Sequence, residues 1–129
     1  MRRVARQRAM LILYTMEVNQ IDLKDALEMD LLEEADELAV QMATFCVEHL
    51  EEVDKLICDH LKNYTIERLN LVDLAIVRLA VSEMLGKEPR EVIINEALEL
   101  TKEFSDLGDH KATSFNNRLL DNINKDLTR

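Results

Sequence analysis

The sequence has 129 residues, of which 47% are apolar and 33% are charged, and its formal net charge is −10. This balance is that of one globular domain over residues 1–129, long enough to bury a sizeable core. A chain this acidic does not hold nucleic acid over a broad surface, and no apolar run approaches the roughly 20 residues that cross a membrane.

Residues that break helices are scarce, since the chain contains only two Gly and one Pro. A β protein of this length needs many turns, and turns depend on such residues. The composition therefore predicts an all-α fold.

Four arginines, Arg2, Arg3, Arg6 and Arg8, crowd the start of the first helix, which is expected over residues 2–19. Arg2, Arg3 and Arg6 share an arc of about 100° on a helical wheel, whereas Arg8 points away. Clustered cations are typical of contacts with nucleic-acid phosphates, but a solvated charge cluster explains them equally well. The second half of this helix is almost wholly apolar, and we expect it to be buried.

Acidic residues are concentrated after the first helix. Residues 17–59 hold fourteen acids and two lysines, for a net charge of −12. Asp22 is the expected N-cap of a short helix over residues 22–29. Apolar side chains then recur at spacings of three and four, which predicts one long helix over residues 31–61, broken, if anywhere, near 51–54.

The second half of the chain starts at a break around Asn63. Thr65 is the expected N-cap of a helix that is apolar nearly all round, which is typical of the centre of a bundle. Gly86 is expected to end this helix, and Pro89 restarts the chain.

Two further helices are expected after Pro89. They cover residues 90–104 and about 113–127, and a polar loop joins them. The apolar side of the last helix consists of Phe115, Leu119, Leu120 and Ile123.

Little in the sequence points to catalysis or metal binding. Cys46, His49, Cys58 and His60 are zinc-type ligands, but residues 58 and 60 of one helix point about 200° apart. There is no Glu-x-x-His pair, phosphate loop, nucleophile elbow or dinucleotide fingerprint. We therefore expect a protein that is not an enzyme, without cofactor or metal.

The basic start followed by apolar residues superficially resembles a signal peptide. Its apolar stretch is short and runs into Glu17 without a small-residue cleavage site, so we interpret it as a helix of the mature protein. Cys46 and Cys58 form no recognisable disulfide framework. The expected location is therefore a reducing cytoplasm.

Two aromatic residues lie near cations in the sequence. Phe104 ends one predicted helix and Phe115 begins the next, with Lys102 and Lys111 close by. Aromatic rings beside cations commonly bind unpaired bases through stacking and phosphate contact. Phenylalanines at helix ends more often fill a core, so base stacking and core packing both stay open.

Four stretches are distinctive, in order along nearly the whole chain: RRVARQRAMLILY from Arg2, YTIERLNLVDLAIVRLAVSEML from Tyr64, VIINEALELTKEF from Val92 and FNNRLLDNI from Phe115. Together they resemble the NusB family of transcription antitermination factors. The start is similar to the family's Arg-rich opening. The segment from Tyr64, YTIERLNLVDLAIVRLAVSEML, resembles an aromatic residue, Arg-Leu and then a buried helix. The most specific match is VIINEALELTKEF from Val92. The stretch FNNRLLDNI, from Phe115, resembles the family's closing Phe-Val-Asn-Gly-Val-Leu-Asp motif.

This resemblance implies a compact bundle of about seven helices in two three-helix-type subdomains, here about 1–62 and 63–129. It implies an antitermination factor without catalysis that binds boxA-like single-stranded RNA together with NusE, a small-subunit ribosomal protein. The complex acts on RNA polymerase, notably at ribosomal RNA operons. Some members pair with themselves, so a homodimer is a further expectation.

The resemblance also assigns RNA-facing positions. Arg2, Arg3 and Arg6 match the basic start of the family. Near the predicted loop, three positions match the RNA-facing region of the family: Lys102, Phe104 and Phe115. Lys111 lies close to them in the sequence. Asn117, with Asp121, matches the closing motif, where RNA contact, capping and packing are alternatives.

The surface that meets NusE is assigned by the same resemblance. Tyr14, Glu67 and Asp73 occupy positions similar to that surface.

The chain departs from the family pattern in the RNA-facing region. Arg118 stands where the family usually has Gly, and Asn116 where it usually has Val. Ser114 replaces a usual Lys, and the loop over residues 105–114 is a few residues longer than is common. Because Gly permits close backbone approach and Arg adds bulk and charge, these changes bear on RNA preference and affinity.

The contrast between the basic start and the acidic remainder suggests weak binding of RNA by the chain alone. A basic NusE-like partner on an acidic face would reduce repulsion and extend the RNA surface. Two alternatives remain: an adaptor that binds only protein, and the RNA-binding appendage of a ribosomal RNA methyltransferase. The second would require a cofactor-binding domain outside this sequence, and a longer reading frame would decide it.

Overall fold

The computed structural model describes residues 2–29, 37–62 and 64–128. Within these ranges there are seven α-helices, one short 3₁₀ helix over Ile66–Arg68, and no strand. The α-helices are α1 Arg2–Asn19, α2 Leu23–Leu27, α3 Glu37–Glu48, α4 Leu50–His60, α5 Leu71–Met84, α6 Arg90–Phe104 and α7 Lys111–Leu127. The all-α prediction is confirmed. None of the helices in the described ranges is long and apolar enough to span a bilayer.

Helix α5 is the centre of the bundle and packs against α1, α3, α4, α6 and α7. Its buried apolar residues point in all directions around the helix: Leu74, Ala75, Ile76, Val77, Leu79, Ala80, Val81 and Met84. Full burial of one large aliphatic side chain contributes about 1.5–3 kcal/mol. The prediction of a central helix that is apolar nearly all round is therefore confirmed.

The start of the chain folds as expected. Helix α1 has the predicted bounds, and the Asp22 side chain caps α2 by accepting a hydrogen bond from the Asp25 backbone N–H at 2.9 Å. The second half of α1 is less buried than its composition predicts, because Leu11 remains 36% exposed.

The predicted long helix over 31–61 is divided at His49, two residues before the predicted break. The His49 backbone N–H donates to the carbonyls of Phe45 and Cys46 at 3.1 and 3.2 Å, which ends α3. Helix α4 then starts at Leu50. Residues 30–36, where the predicted helix begins, lie outside the described residues.

The predicted cap of the central helix is wrong. Thr65 precedes the 3₁₀ helix, and its side chain makes no capping hydrogen bond. Because that turn is interposed, α5 is instead capped by Asn70, whose side chain accepts from the Val72 backbone N–H at 2.8 Å. At the other end, Leu85 closes α5 in a right-handed conformation (φ −77°), so the helix ends just before Gly86 without a left-handed glycine.

Helix α6 follows Pro89 as predicted, whereas α7 starts two residues earlier than predicted. The connecting loop therefore covers residues 105–110. The division into subdomains near residue 62 stays a prediction, since α5 packs against helices on both sides of it.

Candidate nucleic-acid interface

The arginines at the start of α1 lie against a row of glutamates. Arg3 donates from Nε and Nη2 to the two carboxylate oxygens of Glu96, at 3.0 and 2.8 Å. Arg2 lies 3.4 Å from Glu83 and 3.5 Å from Glu88. Three glutamates thus balance the charge of three arginines once Arg6 is included.

Arg6 is part of the interior. Its side chain is 4% exposed, and Nε approaches both oxygens of Glu83 at 3.1 and 2.9 Å. The Glu83 side chain is itself only 8% exposed. The helical wheel therefore placed Arg6 correctly relative to Arg2 but could not show that this face packs against α5. In this structure the Arg6 guanidinium is not available to a phosphate.

Glu96 connects the exposed and buried arginines. Besides holding Arg3, its Oε1 lies 3.8 Å from Nη1 of Arg6. The hydrogen bonds from Arg3 hold the pKa of the Glu96 carboxyl below its usual value. This carboxylate therefore stays ionised at neutral pH and ties α6 to the start of α1.

The residues predicted around the loop lie at the adjoining ends of α6 and α7. Phe104 is 41% exposed at the last position of α6. The Lys102 ammonium lies 3.6 Å from the Glu99 carboxylate, and the side chains of Lys102 and Glu99 are both more than half exposed. Lys111 is exposed at the first position of α7.

Phe115 is packed from one side and continues into a ring cluster. It is half-buried against the core, and its ring centroid lies 5.6 Å from that of Tyr64. The Tyr64 ring is in turn covered by the Arg68 guanidinium, 5.3 Å from the centroid. The contact of Phe115 with the core agrees with the core-packing interpretation, and base stacking stays a prediction.

Tyr64 and Arg68 were not selected from the sequence as site residues. The segment from Tyr64 that resembles the family contains both residues, and its pattern of an aromatic residue followed by Arg-Leu could have identified them. Sequence alone does not show that Tyr64 lies beside Phe115 at the start of α7.

Asp106 organises the loop over residues 105–110. Its carboxylate accepts hydrogen bonds from the side chain and backbone of Thr113 and from the backbone N–H groups of Gly108 and His110. The Thr113 hydroxyl and these amides lower the Asp106 pKa to about 2. Asp106 therefore stabilises the loop above its ordinary pKa and loses this contribution as the pH falls through about 2.

Acidic side chains also occupy the N-terminus of α7. Asp109 accepts from the Lys111 backbone N–H at 3.1 Å, and His110 precedes the helix with a left-handed φ of 62°. Carboxylates of the chain itself thus meet the partial positive charge that the end of a helix offers to anions.

The residues of α7 that depart from the family pattern differ in burial. Asn116 is fully buried, and its Nδ2 donates to Asp73 Oδ1 and Thr101 Oγ1, both at 3.1 Å. Asn117 and Arg118 are exposed. Asn116 therefore joins α5, α6 and α7, while its two successors face solvent.

The residues predicted to meet a protein partner lie on three elements. Tyr14 is half-buried on α1, Glu67 is exposed in the 3₁₀ helix, and Asp73 lies in the first turn of α5. Tyr14 shares the exposed side of α1 with an apolar stripe of seven-residue spacing, hereafter the α1 stripe: Val4, Leu11 and Val18, exposed by 40%, 36% and 46%.

The cysteines and histidines are placed separately. Cys46 is buried, which raises its pKa to about 11, whereas Cys58 is exposed. The Nδ1 atoms of His49 and His60 lie 2.8 and 2.7 Å from carbonyls of their own helical turns. Within the described ranges no cluster of three or more His, Cys, Asp or Glu has metal-binding geometry.

A model of the NusB family matches residues 3–125. The chain belongs to the NusB family. Among the relatives, the transcription antitermination protein NusB of Bacillus subtilis (strain 168) is 41% identical over 129 residues, which cover 98% of this chain and 96% of the relative. That of Exiguobacterium sp. (strain ATCC BAA-1283 / AT1b) is 39% identical and is covered over 98% of its length.

Solved NusB structures have the same fold. NusB of T. maritima is 31% identical, with a TM-score of 0.83 and coverage of 97% of this chain and 91% of that one. A chain in a crystal structure of the antitermination factors NusB and NusE with double-stranded RNA is 29% identical, with a TM-score of 0.76 and coverage of 97% and 96%. The resemblance inferred from the four sequence stretches is confirmed.

Proposed function

We propose that this chain is a transcription antitermination factor that binds boxA-type RNA together with NusE. It acts on RNA polymerase in the cytoplasm, notably at ribosomal RNA operons. The observation that carries the proposal is the match of nearly the whole chain to relatives named for antitermination. A similar chain in complex with NusE and RNA supports both partners. The function is binding, with no catalytic step, cofactor or metal.

RNA binds at the adjoining ends of α6 and α7. Phe104 and the Tyr64–Phe115 pair offer rings on which unpaired bases stack, and Lys102 and Lys111 meet phosphates. Asn117 lies one position beyond the buried Asn116, on the exposed side of α7.

Acidic neighbours keep this contact weak when the chain is alone. Lys102 is close to Glu99, and Lys111 adjoins Asp109 and the ionised Asp106. RNA phosphates are repelled by these carboxylates, so a basic partner that neutralises them raises the affinity. The net charge of −12 over residues 17–59 favours such a partner.

NusE docks on the α1 stripe and on Tyr14, with Glu67 and Asp73 contributing charge. Buried apolar residues surrounded by polar ones are the usual centre of a protein interface.

Replacing Leu11 with glutamate tests the partner surface. Leu11 is the middle residue of the stripe, and a carboxylate there would be desolvated without a partner, so we expect NusE binding to weaken by at least about tenfold. Val92→Glu is the matched control, because Val92 is 42% exposed on α6. Calorimetric titration of both variants with NusE measures the difference. Equal affinities for the two variants would place NusE elsewhere.

An adaptor that binds only protein is the second candidate function, and one observation favours it. The ion pairs of Arg2, Arg3 and Arg6 with glutamates reduce the positive charge at the start of α1. An electrophoretic shift of boxA-type RNA, with and without NusE, separates the two functions. RNA in the shifted complex supports antitermination by RNA binding, and its absence under both conditions supports the adaptor.

A further inference from the structure

The guanidinium of Arg3 is held edge-on by one carboxylate. Its side chain is 72% exposed, whereas that of Glu96 is only 15% exposed. Two parallel hydrogen bonds of 3.0 and 2.8 Å join Nε and Nη2 of Arg3 to the two oxygens of Glu96. This fork geometry suits a carboxylate or a phosphate equally well. A phosphate therefore cannot use the same edge of Arg3 while Glu96 occupies it.

We propose that Glu96 restrains RNA binding, because it holds Arg3 against α6 and competes with RNA phosphates for the Arg3 guanidinium. The inference rests on the proposed function of RNA binding. Glu96 thereby sets how much of the basic start of α1 takes part in that binding.

Of Arg2, Arg3 and Arg6, which all pair with glutamates, Arg3 is the one for which competition between a glutamate and an RNA phosphate has the largest effect. Arg6 is buried against Glu83, and Arg2 is shared between Glu83 and Glu88. The pair of Arg3 with Glu96 is open to water on the arginine side, and exposed ion pairs are weak enough to exchange partners. The Glu96 carboxylate also lies 3.8 Å from the buried Arg6 guanidinium. Arg6 therefore keeps Glu96 in position when the Arg3 side chain moves away from it.

Further acids on α6 strengthen the competition. Glu99 and Glu103 follow Glu96 after three and seven residues, and all three line a cleft of about 90 Å³ that Arg3 also borders. A phosphate entering this cleft meets carboxylates on the α6 side. Arg3 therefore reaches RNA by turning away from α6, at the cost of its bonds to Glu96.

The substitution Glu96→Gln tests the proposal without changing side-chain size. We expect RNA to bind about two- to fivefold more tightly, which is the strength of an exposed ion pair. The slope of log affinity against log salt should steepen by up to about 0.7, the contribution of one single-strand phosphate. Fluorescence anisotropy with labelled boxA-type RNA and saturating NusE, at several salt concentrations, measures both quantities.

Two comparisons separate competition from a general charge effect. Glu91→Gln removes the same charge from the same helix, about 140° around its axis, and should leave affinity nearly unchanged. In an Arg3→Ala background, Glu96→Gln should give no gain. A gain that persists without Arg3, or an equal gain from Glu91→Gln, overturns the proposal.

The outcomes also distinguish this proposal from the proposed function. If wild-type protein and Glu96→Gln bind RNA equally, the role of Glu96 is wrong and RNA binding stands. If neither binds RNA with NusE present, both are wrong. Thermal unfolding of each variant verifies that the fold is retained.

Discussion

Replacing Arg6 with alanine is expected to lower the free energy of unfolding by about 3–5 kcal/mol, because it removes one partner of a buried ion pair. The Arg6 and Glu83 side chains are 4% and 8% exposed, and their closest atoms are 2.9 Å apart. Among the residues that the structure describes, Arg2, at 3.4 Å, would remain as the ion-pair partner of Glu83. Urea denaturation followed by helical circular dichroism measures the loss.

Arg3→Ala is the matched control for this prediction. It removes the same type of side chain from the same face of α1, but Arg3 is exposed and its ion pair is in contact with water. Its effect on unfolding should therefore be far smaller. Equal stability of the two variants would show that Arg6 is not part of the core.

Replacing Phe104 or Phe115 with alanine is expected to weaken RNA binding by about 1–3 kcal/mol, or roughly 5- to 150-fold, for each base that stacks. Phe104 is 41% exposed, so its replacement should leave the melting temperature nearly unchanged. Phe115 packs against the core and Tyr64, so its replacement should lower both the melting temperature and RNA affinity. Anisotropy titrations and thermal scans of the same preparations measure the two effects.

Leu107→Ala controls for the loop itself. Leu107 is 94% exposed between the two phenylalanines, and we expect neither quantity to change. A lower melting temperature for Phe104→Ala with unchanged RNA affinity would mean that Phe104 serves packing alone.

Local sequence rules predicted much of the fold. The bounds of α1, the Asp22 cap and the restart after Pro89 depend on residues near each other in the chain. The central position of α5 follows from an apolar surface on every side, which only the middle of a bundle can bury.

The rest depends on contacts between distant residues. Arg6 and Glu83 are 77 residues apart, so no helical wheel of α1 reveals that Arg6 is buried. Asn70 rather than Thr65 caps α5 because a 3₁₀ turn is interposed. The Tyr64–Phe115 contact joins rings that are 51 residues apart in the sequence. Families share such contacts, which is why the resemblance was more informative about function than the composition was.

In the proposed function, acidic side chains weaken RNA binding by this chain until NusE joins it. The most direct measurement is the affinity for boxA-type RNA, with and without NusE, over a range of salt concentrations. We expect weak binding by the chain alone, with a salt slope below the value of about two that would result if Arg2, Arg3 and Arg6 each met a phosphate. NusE should then tighten binding at least about tenfold, as complementary charge does elsewhere, and steepen the slope. Tight binding by the chain alone, with a slope of about two or more and no effect of NusE, would show that the acidic side chains do not weaken RNA binding.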